Sequence, residues 1–133
     1  MKLVAPVTAL TALVLVPIFL RLAFAVINKR RLHRVAVGSG DQADLETAIR
    51  AHGNFAEYVP FVLILMFLAE MNGAPTWLAA AVGVSLVAGR LVHARAIPAG
   101  DLPKRVLGMK LTFAALALGS IANLVPLLSA LLA

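Results

Sequence analysis

The chain has 133 residues, of which 62% are hydrophobic and 14% charged, and its mean hydropathy of +0.96 excludes a soluble globular domain of this length. The net charge of +6 does not indicate a nucleic-acid binder, because the basic residues cluster at the ends of apolar segments instead of alternating with stacking aromatic residues. The absence of cysteine excludes disulfides, thiolate metal sites and a nucleophilic thiol of the chain's own.

Four apolar segments predict four membrane-spanning helices. A span needs about 20 mostly apolar residues, so the chain has room for about four spans with tight connections and for no soluble module. The predicted helices cover residues 3–28, 45–71, 75–96 and 106–132. We therefore predict an all-α integral membrane protein, with residues 1–133 folded as one four-helix bundle.

The first segment also contains Ala23-Phe24-Ala25, which has the small-x-small form of a signal-peptidase site. Its apolar run is too long for a signal peptide, and the strong positive charge follows the segment instead of preceding it. We interpret it as the first span. By the positive-inside rule, the two basic connections, after the first and third helices, are predicted to be cytosolic and both termini to lie on the non-cytosolic side.

The second segment carries a polar cluster on one face. Its uninterrupted apolar run covers only residues 59–69, so a spanning length includes residues 51–58 as well. At about 100° per residue, the polar side chains fall within an arc of roughly 100°. These side chains are Arg50, Asn54, Glu57 and Tyr58. The pattern predicts one polar stripe at membrane depth.

Two interpretations of this stripe remain open, because charged residues within spans usually face the bundle interior or a wet cavity. In the first, Arg50 reaches the headgroups and Glu57 pairs with Arg21 or Arg90, which makes a structural polar lock. In the second, the stripe lines a ligand site in which guanidinium and amide groups bind carboxylates and Glu57 binds an ammonium. A small peptide carries both kinds of charge.

The third and fourth segments contribute further polar residues. His93 follows Arg90 by three residues on the same helix face, so it is either a proton relay or ligand contact, or an interfacial histidine without a catalytic role. The spacing of the three histidines predicts no metal site. Asn123 is an amide at mid-membrane depth, for which we predict a hydrogen bond to a neighbouring helix.

Residues 50–58, with the sequence RAHGNFAEY, resemble the R-A-x-x-N-x-x-E-Y signature of the MAPEG family, the membrane-associated proteins in eicosanoid and glutathione metabolism. The resemblance covers nearly the whole chain. It includes four spans, a basic first connection with paired arginines, an Asn-Gly turn after the second helix, and Gly89-Arg90 with His93 near the end of the third. The Gly-Arg-x-x-His form is similar to the bacterial branch, which implies a multi-pass protein of the bacterial inner membrane.

The resemblance implies a homotrimer in the lipid bilayer, with glutathione bound as co-substrate at each subunit interface near the cytosolic side. It further implies a glutathione S-transferase or peroxidase that acts on a lipophilic small-molecule substrate. The residues expected to bind glutathione are Arg30, Arg31, Arg50, Asn54, Glu57, Tyr58 and His93.

The predicted catalytic residues are Arg90 and Arg95, which would stabilise the thiolate. Eukaryotic members are rich in tyrosine at the corresponding end of the third helix, and this chain has none there. An alternative is therefore a non-catalytic bundle that binds an anionic lipid or metabolite in the same pocket. A small multidrug exporter also has about this length and an intramembrane glutamate, but the arginines around Glu57 disfavour cation binding.

Overall fold

The computed structural model describes residues 4–132, which form four α-helices joined by short connections. All four helices are long and apolar enough to cross a membrane. They are α1 (Pro6–His33), α2 (Ala43–Met71), α3 (Thr76–Ala96) and α4 (Leu102–Leu131). The predicted all-α membrane bundle is confirmed.

Two helices extend beyond the apolar segments that predicted them. The first continues through its basic residues to His33 and ends at Arg34, whose φ of 54° is left-handed. The fourth begins at Leu102, where the Asp101 carboxylate accepts a 3.0 Å hydrogen bond from the backbone N–H of Lys104. Local capping therefore sets these helix ends, and hydropathy does not.

The α2–α3 pair forms the centre of the bundle. Helix α1 packs against both α2 and α3, and α4 also packs against both, but α1 and α4 make no contact with each other within residues 4–132. The core between them includes Val62, Met66, Val82 and Leu86, all with 0% exposure. We call the end that carries the connections 34–42 and 97–101 the basic end.

Two glycines allow close backbone packing of α3 against α4 near the basic end. A Cβ atom added to Gly89 would lie 2.9 Å from the carbonyl oxygen of Gly108, and one added to Gly108 would lie 2.8 Å from His93 Cβ. Only glycine allows the two backbones to approach this closely. The contact places the following turn of α3, with Arg90 and His93, directly against α4.

At the opposite end, Glu70 in the last turn of α2 holds the first turn of α1. Its carboxylate accepts hydrogen bonds from Val7 N (3.1 Å), Thr8 N (2.7 Å) and Thr8 Oγ1 (2.6 Å). The two backbone N–H groups have no partner within the helix, and a carboxylate is favoured at this positive end of the helix dipole.

The predicted interhelical role of Asn123 is confirmed. Its amide nitrogen donates a 2.9 Å hydrogen bond to the carbonyl oxygen of Leu65 on α2 and a 2.8 Å bond to that of Gly119 on its own helix. An amide at this depth therefore joins α4 to α2, as expected for a polar side chain within a membrane bundle.

Candidate functional site

A polar cavity of about 300 Å³ opens at the basic end between α2, α3 and the start of α4. It is lined by Ile49, Arg50, Gly53, Asn54, Glu57, His93, Ile97 and Arg105. The volume is at the lower end of the range typical of small-molecule sites.

Helix α2 supplies most of the polar groups, because its residues 50, 54 and 57 recur at helical spacing and share one face. Arg50 and Glu57 are exposed within the protomer, and Asn54 is half-buried. Three of the four residues of the predicted stripe therefore meet at one cavity.

The fourth residue of the stripe, Tyr58, lies outside the lining of this cavity. Its ring packs edge to face against Phe113 of α4, with the ring centroids 5.7 Å apart. Tyr58 therefore contributes to α2–α4 packing.

Arg90 is the most deeply buried charged residue, with 1% exposure. Its Nη1 donates a 2.7 Å hydrogen bond to Asn54 Oδ1 on α2, and its Nη2 donates a 2.6 Å bond to Thr112 Oγ1 on α4. Thr112 Oγ1 in turn donates to the carbonyl oxygen of Gly108 at 2.9 Å. This chain of bonds joins three helices immediately behind the cavity.

The structure thus contains a polar lock, but a different one from the lock that the sequence suggests. Within residues 4–132, Glu57 forms no ion pair with Arg21 or Arg90, and no carboxylate binds the Arg90 guanidinium. Amide and hydroxyl oxygens bind Arg90 instead, so Glu57 remains exposed at the cavity.

His93 reaches the cavity from α3 and is 3% exposed. Arg105 reaches it from the first turns of α4 and is not one of the predicted site residues. The sequence indicates this position of Arg105 only indirectly, through Gly89 and Gly108. The close contact between these two glycines brings the start of α4 beside α2.

Besides Tyr58 and Arg90, three further predicted site residues lie outside the lining of this cavity. Arg30 donates hydrogen bonds to the carbonyl oxygens of Ala36 (3.1 Å) and Gly38 (2.9 Å) and so holds the α1–α2 connection in place. Arg31 is exposed on the same part of α1. Arg95 lines a separate cavity on the α1–α3 side.

The cavity combines both signs of charge. Arg50 and Arg105 carry positive charge, Glu57 carries negative charge, and Asn54 and His93 add neutral hydrogen-bonding capacity. A neighbouring cavity of about 310 Å³ also contacts both arginines, so the polar cleft continues towards the start of α2. No group of three or more His, Asp or Glu residues able to hold a metal ion lies within the described part of the chain.

Four apolar helices with a polar cavity at one end define a small multi-pass membrane protein with a candidate ligand site at that end. Comparison with known families identifies which kind. The family model of the MAPEG family matches residues 8–125, so the chain belongs to that family, and the prediction from residues 50–58 is confirmed.

Two curated relatives carry the name Inner membrane protein YecN, one from Escherichia coli strain K12 and one from Escherichia coli O6:H1 strain CFT073. Each is 41% identical to the chain over 118 residues, which covers 89% of the chain and 90% of the relative. No solved structure shows a significant match to the chain.

Proposed function

We propose that this protein binds glutathione in the polar cavity and presents its thiolate to lipophilic electrophiles, as a glutathione S-transferase or peroxidase. The proposal rests on one observation, which is that the charges in the cavity complement those of glutathione. Glutathione has two carboxylates and one ammonium at neutral pH, and the cavity offers two guanidinium groups, of Arg50 and Arg105, and the carboxylate of Glu57. Guanidinium groups bind carboxylates with two parallel hydrogen bonds.

Asn54 contributes a donor to this site. Because its side-chain oxygen accepts the hydrogen bond from Arg90, its amide nitrogen is the group left to bind a ligand. Arg90 thereby fixes the orientation of the Asn54 amide from behind the cavity. His93 supplies one further polar contact from α3.

The chemistry requires the thiolate, since a thiol with a pKa of about 8.5 is mostly protonated at neutral pH. A guanidinium group near the sulfur stabilises the thiolate by about 1.4 kcal/mol for each unit by which the thiol pKa falls. Arg105 lines the cavity and therefore joins Arg90 and Arg95 as a candidate for this role, in which case the second carboxylate of glutathione would require an arginine of a neighbouring subunit.

In the transferase reaction, the sulfur forms a bond to an electrophilic carbon while the leaving group departs with its electron pair. In the peroxidase reaction, two glutathione molecules are oxidised to the disulfide while a hydroperoxide is reduced to an alcohol and water. In both cases the apolar substrate reaches the site from the surrounding lipid.

The proposal includes a homotrimer in a bacterial inner membrane, with the basic end facing the cytosol. The name of the relatives supports the location, and the basic residues around connections 34–42 and 97–101 support the orientation. Arg30 and Arg31 lie away from the cavity of their own protomer. In the proposed trimer, these arginines therefore contact the glutathione that is bound in the cavity of a neighbouring subunit.

The test is glutathione binding by the protein in detergent, measured by calorimetry. Wild type should show saturable binding, and Arg50→Ala should weaken it about 10-fold or more, because a charge-assisted bond to a carboxylate is lost. Lys110→Ala is the matched control, since it removes one positive charge from α4 without touching the cavity. The absence of saturable binding in wild type would refute the proposal.

A second candidate function is a non-catalytic bundle that binds an anionic lipid or metabolite in the same cavity. The observation that favours it is the engagement of Arg90 by Asn54 and Thr112, together with the absence of any tyrosine from α3. Mass spectrometry of the purified protein distinguishes the two candidates. A co-purified anionic ligand that Arg50→Ala loses, with no conjugation of glutathione to a panel of electrophiles, would support the non-catalytic function.

A further inference from the structure

A second cationic feature lies on the α1–α3 side of the bundle. Arg21 of α1 and Arg95 of α3 line one cavity of about 210 Å³. The rest of its lining is apolar and consists of Pro17, Ile18, Leu91 and Ala94. This cavity shares no lining residue with the polar cavity at Glu57.

Both guanidinium groups of this cavity are free to bind a ligand. Arg21 and Arg95 are exposed, and neither donates a hydrogen bond or forms an ion pair with any residue between 4 and 132. No acidic side chain lines the cavity. Two positive charges therefore face one groove without a counter-charge from the described chain.

The position of Arg95 places this charge at the boundary of the membrane. Arg95 is the penultimate residue of α3, which ends at Ala96. Arg21 lies at the same height along the bundle as Arg95, since both line one cavity. Helix α1 continues beyond this height to His33, so its last turns extend past the end of α3. Guanidinium groups at this depth can meet the phosphate groups of one leaflet.

An apolar groove continues from this cavity along α1 and α3. It has a volume of about 380 Å³ and shares Leu91 with the cationic cavity. Its walls include Leu10 and Val14 of α1 and Val84 of α3. The helices approach closely at its floor, where a Cβ atom added to Gly83 would lie 2.5 Å from Thr11 Oγ1.

The groove has the length of a lipid chain in one leaflet. From Arg21 to Leu10, α1 rises about 16 Å at 1.5 Å per residue. One leaflet contributes about 15 Å to a hydrocarbon core of about 30 Å. The hydroxyl of Thr11 donates to the carbonyl oxygen of Val7 at 2.8 Å, so this donor is already used within α1.

We propose that the α1–α3 groove is a binding site for an anionic phospholipid of the leaflet at the basic end. The phosphate group binds Arg21 and Arg95, and one acyl chain lies in the apolar groove towards Leu10 and Val84. Charge complementarity selects the headgroup, since two guanidinium groups without a local carboxylate favour a lipid with net negative charge over a zwitterionic one.

The experiment is native mass spectrometry of the full chain in detergent with added phosphatidylglycerol or phosphatidylcholine of the same acyl chains. Wild type should retain phosphatidylglycerol at this site with a preference of roughly 30-fold over phosphatidylcholine, as expected for two basic residues near the surface. The double variant Arg21→Gln/Arg95→Gln should lose that preference. Lys110→Gln, on α4 and outside the groove, should keep it.

A second variant and a competition with phosphate distinguish binding of the lipid from binding of a free phosphate ion. Both remain informative if the double variant does not fold. Ala88→Phe places a ring in the apolar groove and keeps both arginines, so it should reduce phosphatidylglycerol binding. Inorganic phosphate in excess should not displace the lipid. Equal retention of the two lipids by wild type, unchanged binding by Ala88→Phe, or displacement by phosphate would each overturn the proposal.

Discussion

The Arg90 guanidinium donates a 2.7 Å hydrogen bond to Asn54 Oδ1, which joins the third helix to the polar face of the second. This bond connects the buried interior of the bundle with the polar cavity, because Asn54 lines the cavity and Arg90 does not. A membrane helix bearing a buried arginine is stabilised only if other groups satisfy its donors. The bonds that satisfy the two terminal nitrogens of Arg90, Nη1 and Nη2, therefore also orient a side chain of the proposed glutathione site.

Thr112→Val tests this network. Valine has nearly the same shape but removes the acceptor of the 2.6 Å bond from Arg90 Nη2, and this leaves the buried charged nitrogen with only its 3.6 Å contact to Met109 Sδ. We expect a loss of about 1–3 kcal/mol in the free energy of unfolding. Denaturation of the protein in mixed micelles, followed by circular dichroism, measures it.

Thr47→Val is the matched control, because the Thr47 hydroxyl is exposed and bonds only to the carbonyl oxygen of Ala43 in its own helix. Its stability should change little. Equal stability of both valine variants would contradict a stabilising role for the Arg90–Thr112 bond.

The backbone contact between α3 and α4 makes a second prediction. In Gly89→Ala, the new methyl group would lie 2.9 Å from the carbonyl oxygen of Gly108, so the helices must separate. We expect a destabilisation of about 1–3 kcal/mol, as for other overpacked sites. Glutathione binding should weaken as well, because His93 and Arg105 would move relative to α2.

Gly53→Ala should have the opposite effect on stability, because Gly53 has room for a methyl group. The nearest atom to a Cβ at Gly53 is Glu57 Oε1 at 3.9 Å, which is an ordinary contact. Alanine is a better helix former than glycine by about 1 kcal/mol, so this variant should unfold at a higher temperature than wild type. A lower unfolding temperature for Gly53→Ala than for Gly89→Ala would contradict the prediction that a methyl group at residue 89 forces α3 and α4 apart.

The carboxylate of Glu70 makes a third prediction, at the other end of the bundle. Glu70→Ala removes the acceptor for Val7 N, Thr8 N and Thr8 Oγ1, so the first turn of α1 should open more often. We expect a cost of about 0.5–2 kcal/mol, the range measured for lost helix caps. Hydrogen exchange at the first turn of α1 should become faster, while exchange in the core around Met66 should be unchanged.

Glu70→Gln refines the measurement, since the amide keeps one acceptor oxygen but loses the negative charge. Its exchange rates should fall between those of wild type and Glu70→Ala. If both variants exchange like wild type, the Glu70 contacts do not hold α1.

Hydropathy and helical spacing predicted the four helices and the shared face of Arg50, Asn54 and Glu57, because both depend on the local sequence. The partner of Arg90 could not be predicted in this way. It depends on how α3 is rotated against α2 and α4, and that rotation follows from the contact between Gly89 and Gly108. One of the two open interpretations paired Glu57 with Arg21 or Arg90, whereas an amide and a hydroxyl oxygen bind Arg90 in the structure.

Arg105 was missed for a related reason. As a basic residue close to a helix start, it fits the general pattern of charge at membrane boundaries, and only the tertiary structure places it opposite Arg50. Conversely, Arg95 shares a helix with His93 but lies on another face, which directs it to the α1–α3 groove.

The placement of these arginines predicts which one activates the thiol in the proposed reaction. Arg105 lines the cavity, and Arg95 does not, so Arg105→Gln should raise the pKa of bound glutathione and lower kcat more than Arg95→Gln. The ultraviolet absorbance of the thiolate, followed against pH with saturating glutathione, measures this pKa. It should lie below the ordinary thiol value of about 8.5 in wild type and move towards it in Arg105→Gln. A thiol pKa that responds to Arg95→Gln and not to Arg105→Gln would instead require that Arg95 reach the cavity of a neighbouring subunit.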